Sequence, residues 1–318
     1  MASKVFDISG KRVWVAGHRG MVGAAVVRRL AAADCDILTV GREEVDLTRQ
    51  ADTERWLDKA RPDAIVMAAA RVGGIHANST FPAEFLSINL LIGANVLNAA
   101  HRAGVKRLVN LGSSCMYPVG APQPIAEKSI GDGRPEPTNE AYAVAKLATA
   151  SLASSYRKQF GDDYVTAIPT NLYGPGDNFD PLMSHVAPAL MRRMIEARDA
   201  RAPKVEIWGS GKPRRELMFV DDAADAIVFV LEHYSAPEPI NIGIGIDVSI
   251  RELAGQIART VAYNGELAFD AGKPDGAPRR LLDNSRLAAL GWRASTPLAD
   301  GLDAMYRWYC KHKVDVAA

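Results

Sequence analysis

At 318 residues the chain has room for one large α/β unit plus a smaller part, or for two domains. Its hydrophobic share of 48% and charged share of 24% are those of an ordinary soluble globular enzyme. A formal net charge of +1, with basic residues scattered, excludes the footprint of a nucleic-acid or anionic-membrane binder. Cys35, Cys115 and Cys310 make neither a disulfide framework nor a metal-ligand spacing, so no bound metal and a reducing cytoplasm are expected. Residues 1–7 lack the apolar core of a signal peptide, and no uninterrupted apolar run approaches ~18 residues, so no membrane span is expected.

Arg12-Val13-Trp14-Val15-Ala16 reads as a short buried strand that runs into Gly17-His18-Arg19-Gly20-Met21-Val22-Gly23 and then into a helix-like stretch to Leu30. Strand, glycine-rich turn and helix in that order are the context a dinucleotide fingerprint requires. The glycines let backbone N–H groups approach a pyrophosphate, and the helix amino terminus adds partial positive charge. The second strand, 36–40, ends in Gly41-Arg42, near where NAD-preferring folds place an acidic residue on the ribose 2′-hydroxyl. Arg42 and Arg19 suit a 2′-phosphate instead, so NADP(H) is the expected cofactor. Asp46-Leu47 follows, placed to contact adenine.

Ala64 to Ala70, with Ala69 near its end, is the next buried strand; it closes on Arg71-Val72-Gly73-Gly74, where small residues let a cofactor ribose lie against the backbone. An apolar-periodic helix covers 81–103 and is stopped by Gly104. Strand 107–111 leads to Gly112-Ser113-Ser114-Cys115-Met116-Tyr117-Pro118, outside the strand end where ligands bind in open parallel sheets. The proline-bearing stretch 118–139 reads as a functional loop, part of the wall or lid of a site. Next comes Tyr142-Ala143-Val144-Ala145-Lys146 among good helix formers, with phenol and ammonium one turn apart on one face. A nearby cation favours the phenolate, so Lys146 is expected to lower the pKa of Tyr142, the candidate general acid. Ser113 supplies the third member, with Ser114 as the alternative.

Beyond that helix, 164–168 is a strand leading into Pro169-Thr170-Asn171-Leu172-Tyr173-Gly174-Pro175, and a helix runs from about His185 to Ala197. Strand 205–208, a turn at 209–213 and a helix at 223–233 follow, then Ile240-Asn241-Ile242-Gly243. Helical patterns at 249–261 and 298–309 flank a loop at 272–280.

With the glycine turn, Ser113, Tyr142 and Lys146 in order, the chain resembles an extended short-chain dehydrogenase/reductase, a family whose members mostly act on nucleotide-sugars. Arg215-Glu216-Leu217-Met218-Phe219-Val220-Asp221-Asp222 and 171–175 resemble it too. The likeness runs from Val13 to Trp292. It is nearest, on 17–23, 112–118, 169–175, Asn178-Phe179 and Ser184-His185-Val186, to the branch that converts GDP-4-keto-6-deoxy-D-mannose to GDP-L-fucose with NADPH. The resemblance implies a doubly wound parallel (Rossmann) sheet with a smaller, discontinuous α+β substrate lobe. Residues 1–172 and 212–236 would form the NADP-binding domain, and 173–211 and 237–318 the lobe.

It also implies two jobs at one site. Cys115 and His185 would remove and return protons at C3 and C5, beside the keto group that makes them acidic. Hydride would then reach C4 while Tyr142 protonates the oxygen, held by Ser113, with Lys146 on the nicotinamide ribose. Gly17, Arg19, Gly20, Met21, Val22, Gly23, Arg42, Asp46, Leu47, Ala69, Pro169, Asn171, Leu172 and His185 would line the cofactor together with Tyr142 and Lys146. Arg193, Trp208, Arg215 and Arg280 would hold the guanosine diphosphate, although lysine is frequent in the family where Arg280 stands. A homodimer through the helices 81–103 and 140–160 is implied. A nucleotide-sugar 4-epimerase is disfavoured: it tends to hold NAD, lacks the Cys115-type group and carries arginine where Ile168 stands. A non-catalytic NADP-binding sensor would be favoured by loss of the serine, tyrosine or lysine, and all three are present.

Overall fold

The computed structural model describes residues 3–273 and 275–316; Met1 and Ala2 of the amino-terminal stretch, and Pro274 of the expected 272–280 loop, lie outside the described residues. The first half alternates strand and helix: β1 (Arg12–Ala16), α1 (Met21–Leu30), β2 (Asp36–Leu38), α2 (Gln50–Ala60), β3 (Ala64–Met67), α3 (Ile75–Thr80), α4 (Pro82–Arg102), β4 (Arg107–Leu111), α5 (Glu140–Phe160) and β5 (Asp163–Pro169). The second half contains β6 (Asn171–Tyr173), α6 (Val186–Asp199), β7 (Lys204–Trp208), β8 (Arg214–Phe219), α7 (Val220–His233), β9 (Ile240–Ile242), β10 (Asp247–Ser249), α8 (Ile250–Thr260), β11 (Glu266–Asp270), β12 (Arg279–Arg280), α9 (Ser285–Ala289) and α10 (Leu298–Val316).

The main sheet runs β2-β1-β3-β4-β5-β9 with every pairing parallel. Its inner strands are apolar on both faces, as a sheet covered by helices on both sides requires. Side chains alternate along β1: Val13 and Val15 join the core under α1 and α7, whereas Trp14 and Ala16 join the core shared with α4 and α5. Each fully buried side chain of this size contributes about 1.5–3 kcal/mol, so the two-sided burial outweighs local propensity. The chain moves from β1 outward to β2 and then back across to β3, which makes the carboxyl ends of β1 and β3 the topological switch point.

Helix α4 has a length and apolar composition that would also pass for a membrane span. It packs instead on α5 and α2 and buries Phe85, Val96, Leu97 and Ala100 in the protein core. Helix α5 stops where Gly161 takes the left-handed conformation (φ 74°) and its N–H bonds the Arg157 carbonyl.

The lobe holds a four-stranded sheet in which β8 pairs with β10, β12 and β6, a parallel pair β7–β11, and the helices α6, α8 and α10 around their own core. Strand β8, expected with the nucleotide-binding part as 212–236, bridges the two parts: it hydrogen-bonds β6, β10 and β12, while its Met218 and helix α7 join the core of the main sheet. Strand β9, expected in the lobe, is an edge strand of the main sheet, paired with β5. The helix expected from 223 begins at Val220, because Asp221 and Asp222 favour its positive amino end. Strand β11 was invisible to the sequence reading: it is half-buried and gains its identity only by pairing with β7.

Candidate active site

At the switch point a cleft of about 330 Å³ is lined by Gly17, Arg19, Gly20, Arg42, Asp46, Leu47 and Ala69, among others. A Cβ on Gly17, whose φ is +85°, would lie 2.6 Å from the Ala69 nitrogen, and one on Gly23 would lie 2.1 Å from the Gly17 carbonyl oxygen. These glycines let the turn rest directly on the end of β3 and let α1 rest on the turn. Gly20 offers no side-chain cap and no acidic residue stands in the first turn of α1, which Met21, Val22 and Gly23 open. The free N–H groups there suit an anion. Backbone close approach, an uncapped helix end and an open cleft together fit a dinucleotide.

At the end of the cleft expected to take a 2′-phosphate, Arg42 is exposed and Arg19 is already engaged. The Arg19 guanidinium grips both carboxylate oxygens of Glu43, with Nη1 2.8 Å from Oε2. Hydrogen bonding to Arg19 holds the Glu43 carboxyl below its ordinary range. Glu43 folds over Gly41, where a Cβ would come within 2.2 Å of Oε1. Asp46 accepts from Thr48 N at 3.0 Å and Thr48 Oγ1 at 2.7 Å, and Asn95 donates to the Leu47 carbonyl at 2.9 Å, which fixes this wall.

At the other end, β4 stops at Leu111 and a single 3-10 turn, Ser114–Met116, follows. The Ser113 hydroxyl accepts from Cys115 N at 3.2 Å and hydrogen-bonds the Tyr142 phenol. Ser114 is buried, and its carbonyl accepts from Arg280 Nη1 at 2.7 Å. Geometry therefore separates the two serines and brings Ser113 to the phenol. Lys146 lies one turn along α5 with Nζ 5.9 Å from the Tyr142 ring centroid and donates to the Leu111 carbonyl at 2.8 Å. Burial, and next the Cys115 sulfur, push the phenol above its ordinary value, while Ser113 acts in the opposite direction. Burial pushes the Lys146 ammonium down to about 8. The expected lowering of Tyr142 by Lys146 is thus not what the structure shows, because the ammonium is directed at a carbonyl. The phenol stays protonated at neutral pH, ready to donate.

Cys115 is half-buried beside Ser113, and Asn139 Nδ2 donates to its sulfur at 3.1 Å. His185 immediately precedes α6, on a loop pinned to the start of α3 by Gly74 N bonding the Met183 carbonyl at 2.9 Å. The residue is exposed, yet protein atoms crowd its ring, and that desolvation lowers the imidazole pKa. Pro169 ends β5 and Asn171-Leu172 open β6, at the junction of the two sheets; Asn171 Nδ2 donates to the Glu216 carbonyl at 3.0 Å.

The four residues expected at the nucleotide end fall into two groups. Arg215 and Arg280 are register partners on β8 and β12, and burial followed by the Arg280 charge lowers the Arg215 pKa. Two neighbouring guanidinium groups suit diphosphate oxygens. Arg193 on α6 donates to the Glu206 carbonyl on β7, and Trp208 ends the same strand, 67% exposed with the Lys273 ammonium 5.6 Å from its ring centroid. Sequence reasoning missed Glu43 and Asn139. The first follows Arg42 directly but becomes the counter-ion of Arg19, 24 residues away, only when the loop curls back. The second carries the signature of a helix cap.

A doubly wound sheet, a glycine turn at its switch point and a serine, tyrosine and lysine over the neighbouring strand ends define a nicotinamide-dependent short-chain dehydrogenase/reductase architecture. The chain belongs to the NAD dependent epimerase/dehydratase family, whose profile matches residues 13–243. It is 49% identical over 311 residues to the GDP-L-fucose synthase of Sinorhizobium fredii, covering 98% of this chain and 99% of the relative. It is 50% identical over 315 residues to GDP-L-fucose synthase 1 of Arabidopsis thaliana, covering 98% of each. Among solved structures it superposes on a GDP-L-fucose synthetase from Naegleria fowleri bound to NADP with a TM-score of 0.90, 26% identity and 99% coverage of both chains.

Proposed function

We propose that this chain epimerises C3 and C5 of GDP-4-keto-6-deoxy-D-mannose and reduces C4 with NADPH, giving GDP-L-fucose. The observation that carries this reading is the gathering of Ser113, Cys115, Tyr142 and Lys146 at one turn-and-helix junction. The chain that carries them is about half identical to GDP-L-fucose synthases over nearly its whole length.

Bound NADPH supplies the hydride for C4. The ketone delocalises the enolate charge, so the protons on C3 and C5 are acidic, and one group must take a proton while another returns one. Cys115 and His185 fill these roles, a thiol and an imidazole being groups that can give and take a proton. Desolvation keeps His185 neutral and able to accept. Ser113 holds the 4-oxygen through both stages and stabilises the enolate. Tyr142, protonated because it is buried, gives its proton to that oxygen at the reduction step. Lys146 holds the nicotinamide ribose, Arg215 and Arg280 the diphosphate, and Arg193 and Trp208 the nucleoside end.

The chain works as a homodimer in the cytoplasm. Leu90 and Leu91 on α4 and Val144 on α5 are exposed apolar side chains on adjoining helices, and its three cysteines are free. Light scattering of the purified protein, with Leu91→Glu beside it, tests the pairing: a monomeric wild type overturns it.

The reaction is tested by NADPH oxidation with GDP-4-keto-6-deoxy-D-mannose, wild type beside Cys115→Ser, with product sugars identified by NMR. GDP-L-fucose from wild type, and only the non-epimerised reduced sugar or nothing from Cys115→Ser, is expected. No NADPH consumption by wild type would reject the reading in favour of another keto-sugar.

A further inference from the structure

Asn139 occupies the N-cap of α5, a position that favours asparagine because the side-chain oxygen accepts from free N–H groups of the first turn. Here no side-chain cap bond forms. The amide nitrogen donates to Cys115 Sγ at 3.1 Å, across a separation of 24 residues, and Oδ1 is buried without a hydrogen-bond partner among the described residues. Both features cost stability: the cap is forgone and a buried acceptor goes unpaired. The side chain is therefore placed for the sulfur and not for the helix.

We propose that Asn139 is the positioning residue for acid–base chemistry at Cys115: its N–H holds the sulfur at the sugar and meets the negative charge that forms there. This rests on the role given to Cys115 above. As Cys115 passes its proton to a ring carbon, the S–H bond breaks, a C–H bond forms and the electron pair stays on sulfur. A fixed donor aimed at that atom stabilises the developing charge without reorganisation. Solvent then reprotonates the thiolate. Tyr142 on α5 and Arg280 on β12, bonded to the Ser114 carbonyl, also face this turn, and neither is altered by a change at Asn139.

Asn139→Ser and Asn139→Asp separate this role from a structural one, because serine and aspartate are both good N-caps and preserve α5. Serine is too short to reach the sulfur, and aspartate replaces a donor with an acceptor. The rate of Cys115 alkylation by iodoacetamide is followed against pH, with the Cys115 peptide quantified by mass spectrometry so that Cys35 and Cys310 do not contribute. The midpoint is expected to rise by about one pH unit in Asn139→Ser and further in Asn139→Asp. Deuterium wash-in at C3 and C5 of the keto-sugar is expected to fall roughly ten- to a hundredfold in both, with the dissociation constant of NADPH within about twofold of wild type. An unchanged or lowered midpoint in folded variants overturns the proposal, and so does a raised midpoint with wild-type wash-in. Failure of wild type to exchange or reduce this sugar would instead reject the assigned reaction, and the alkylation series would still decide whether Asn139 acts on Cys115.

Discussion

At the 2′ end of the cleft the Arg19 and Glu43 side chains are 65% and 56% exposed, whereas at the reacting end Lys146 is 6% exposed and Tyr142 lies against Ser113 deep in the cleft. In the function proposed above, both ends present ionisable groups to one dinucleotide. At the outer end water screens the charges, so an ion pair can exchange partners at little cost. At the inner end burial sets protonation, and Ser113, Tyr142 and Lys146 are each tied to a specific partner. Recognition of the cofactor tail is therefore adjustable in small steps, and the chemistry is not.

The sharpest way to break that contrast is Tyr142→Phe. Removing the buried proton donor is expected to lower NADPH-dependent reduction by about 10²–10⁴-fold while NADPH still binds. Stopped-flow absorbance checks it, and retention of more than a tenth of the rate would show that the proton comes from elsewhere.

Gly23→Ala probes the join between the two ends. The new Cβ would meet the Gly17 carbonyl, so α1 must lift from the turn, a strain of about 1–3 kcal/mol. Thermal melting should show the loss, with NADPH binding weakened about tenfold or more; a wild-type melt would mean that the turn yields more easily than its packing implies.

The buried lysine gives the contrast a pH signature. Its folded value is about 8, and an unfolded lysine has ~10.4. Below pH 8 it is charged in both states and the burial penalty is felt in full. Above ~10.4 it is neutral in both and the penalty is gone. Between them the unfolded chain binds more protons, so this residue makes stability rise with pH across that window in the cofactor-free protein. Urea denaturation at pH 7.5, 8.5 and 9.5 should show the rise in wild type and a flatter profile in Lys146→Met; equal slopes in the two would remove Lys146 as its source.

The smallest effect belongs to the outer end. Glu43→Gln frees Arg19 and is expected to tighten NADPH about two- to fivefold and leave NADH unchanged or weaker, the difference shrinking as salt is raised. Calorimetric titrations at two ionic strengths read it directly, and a salt-independent gain would point to something other than a screened ion pair.

Much of this was legible because its cause is local. The strand–turn–helix at 12–30 shows itself through glycines whose backbone role is set within a few residues, and Tyr142 and Lys146 share a helix face through their spacing alone. Strands β1 and β4 were readable to their ends because near-complete burial makes them mostly apolar, as in Val13-Trp14-Val15-Ala16 and Leu108-Val109. Less was readable in the lobe. Strands such as β11 are half-exposed, and nothing local in β8 or β9 says which sheet each joins.

What the chain's own order of residues determined, then, was the nucleotide-binding turn, the serine–tyrosine–lysine set and the cysteine beside it, since each depends on neighbours a few positions away. What only the tertiary structure decided was partnership: Glu43 closing on Arg19 from 24 residues away, Asn139 spending its amide on Cys115, and Arg280 reaching Ser114 across 166 residues. It also decided that Lys146 bonds a carbonyl and leaves the phenol to Ser113. The reason is physical. A hydrogen bond or a desolvation shift depends on which atoms lie within about 3 Å and on how much water remains, and chain spacing beyond one or two helical turns specifies neither.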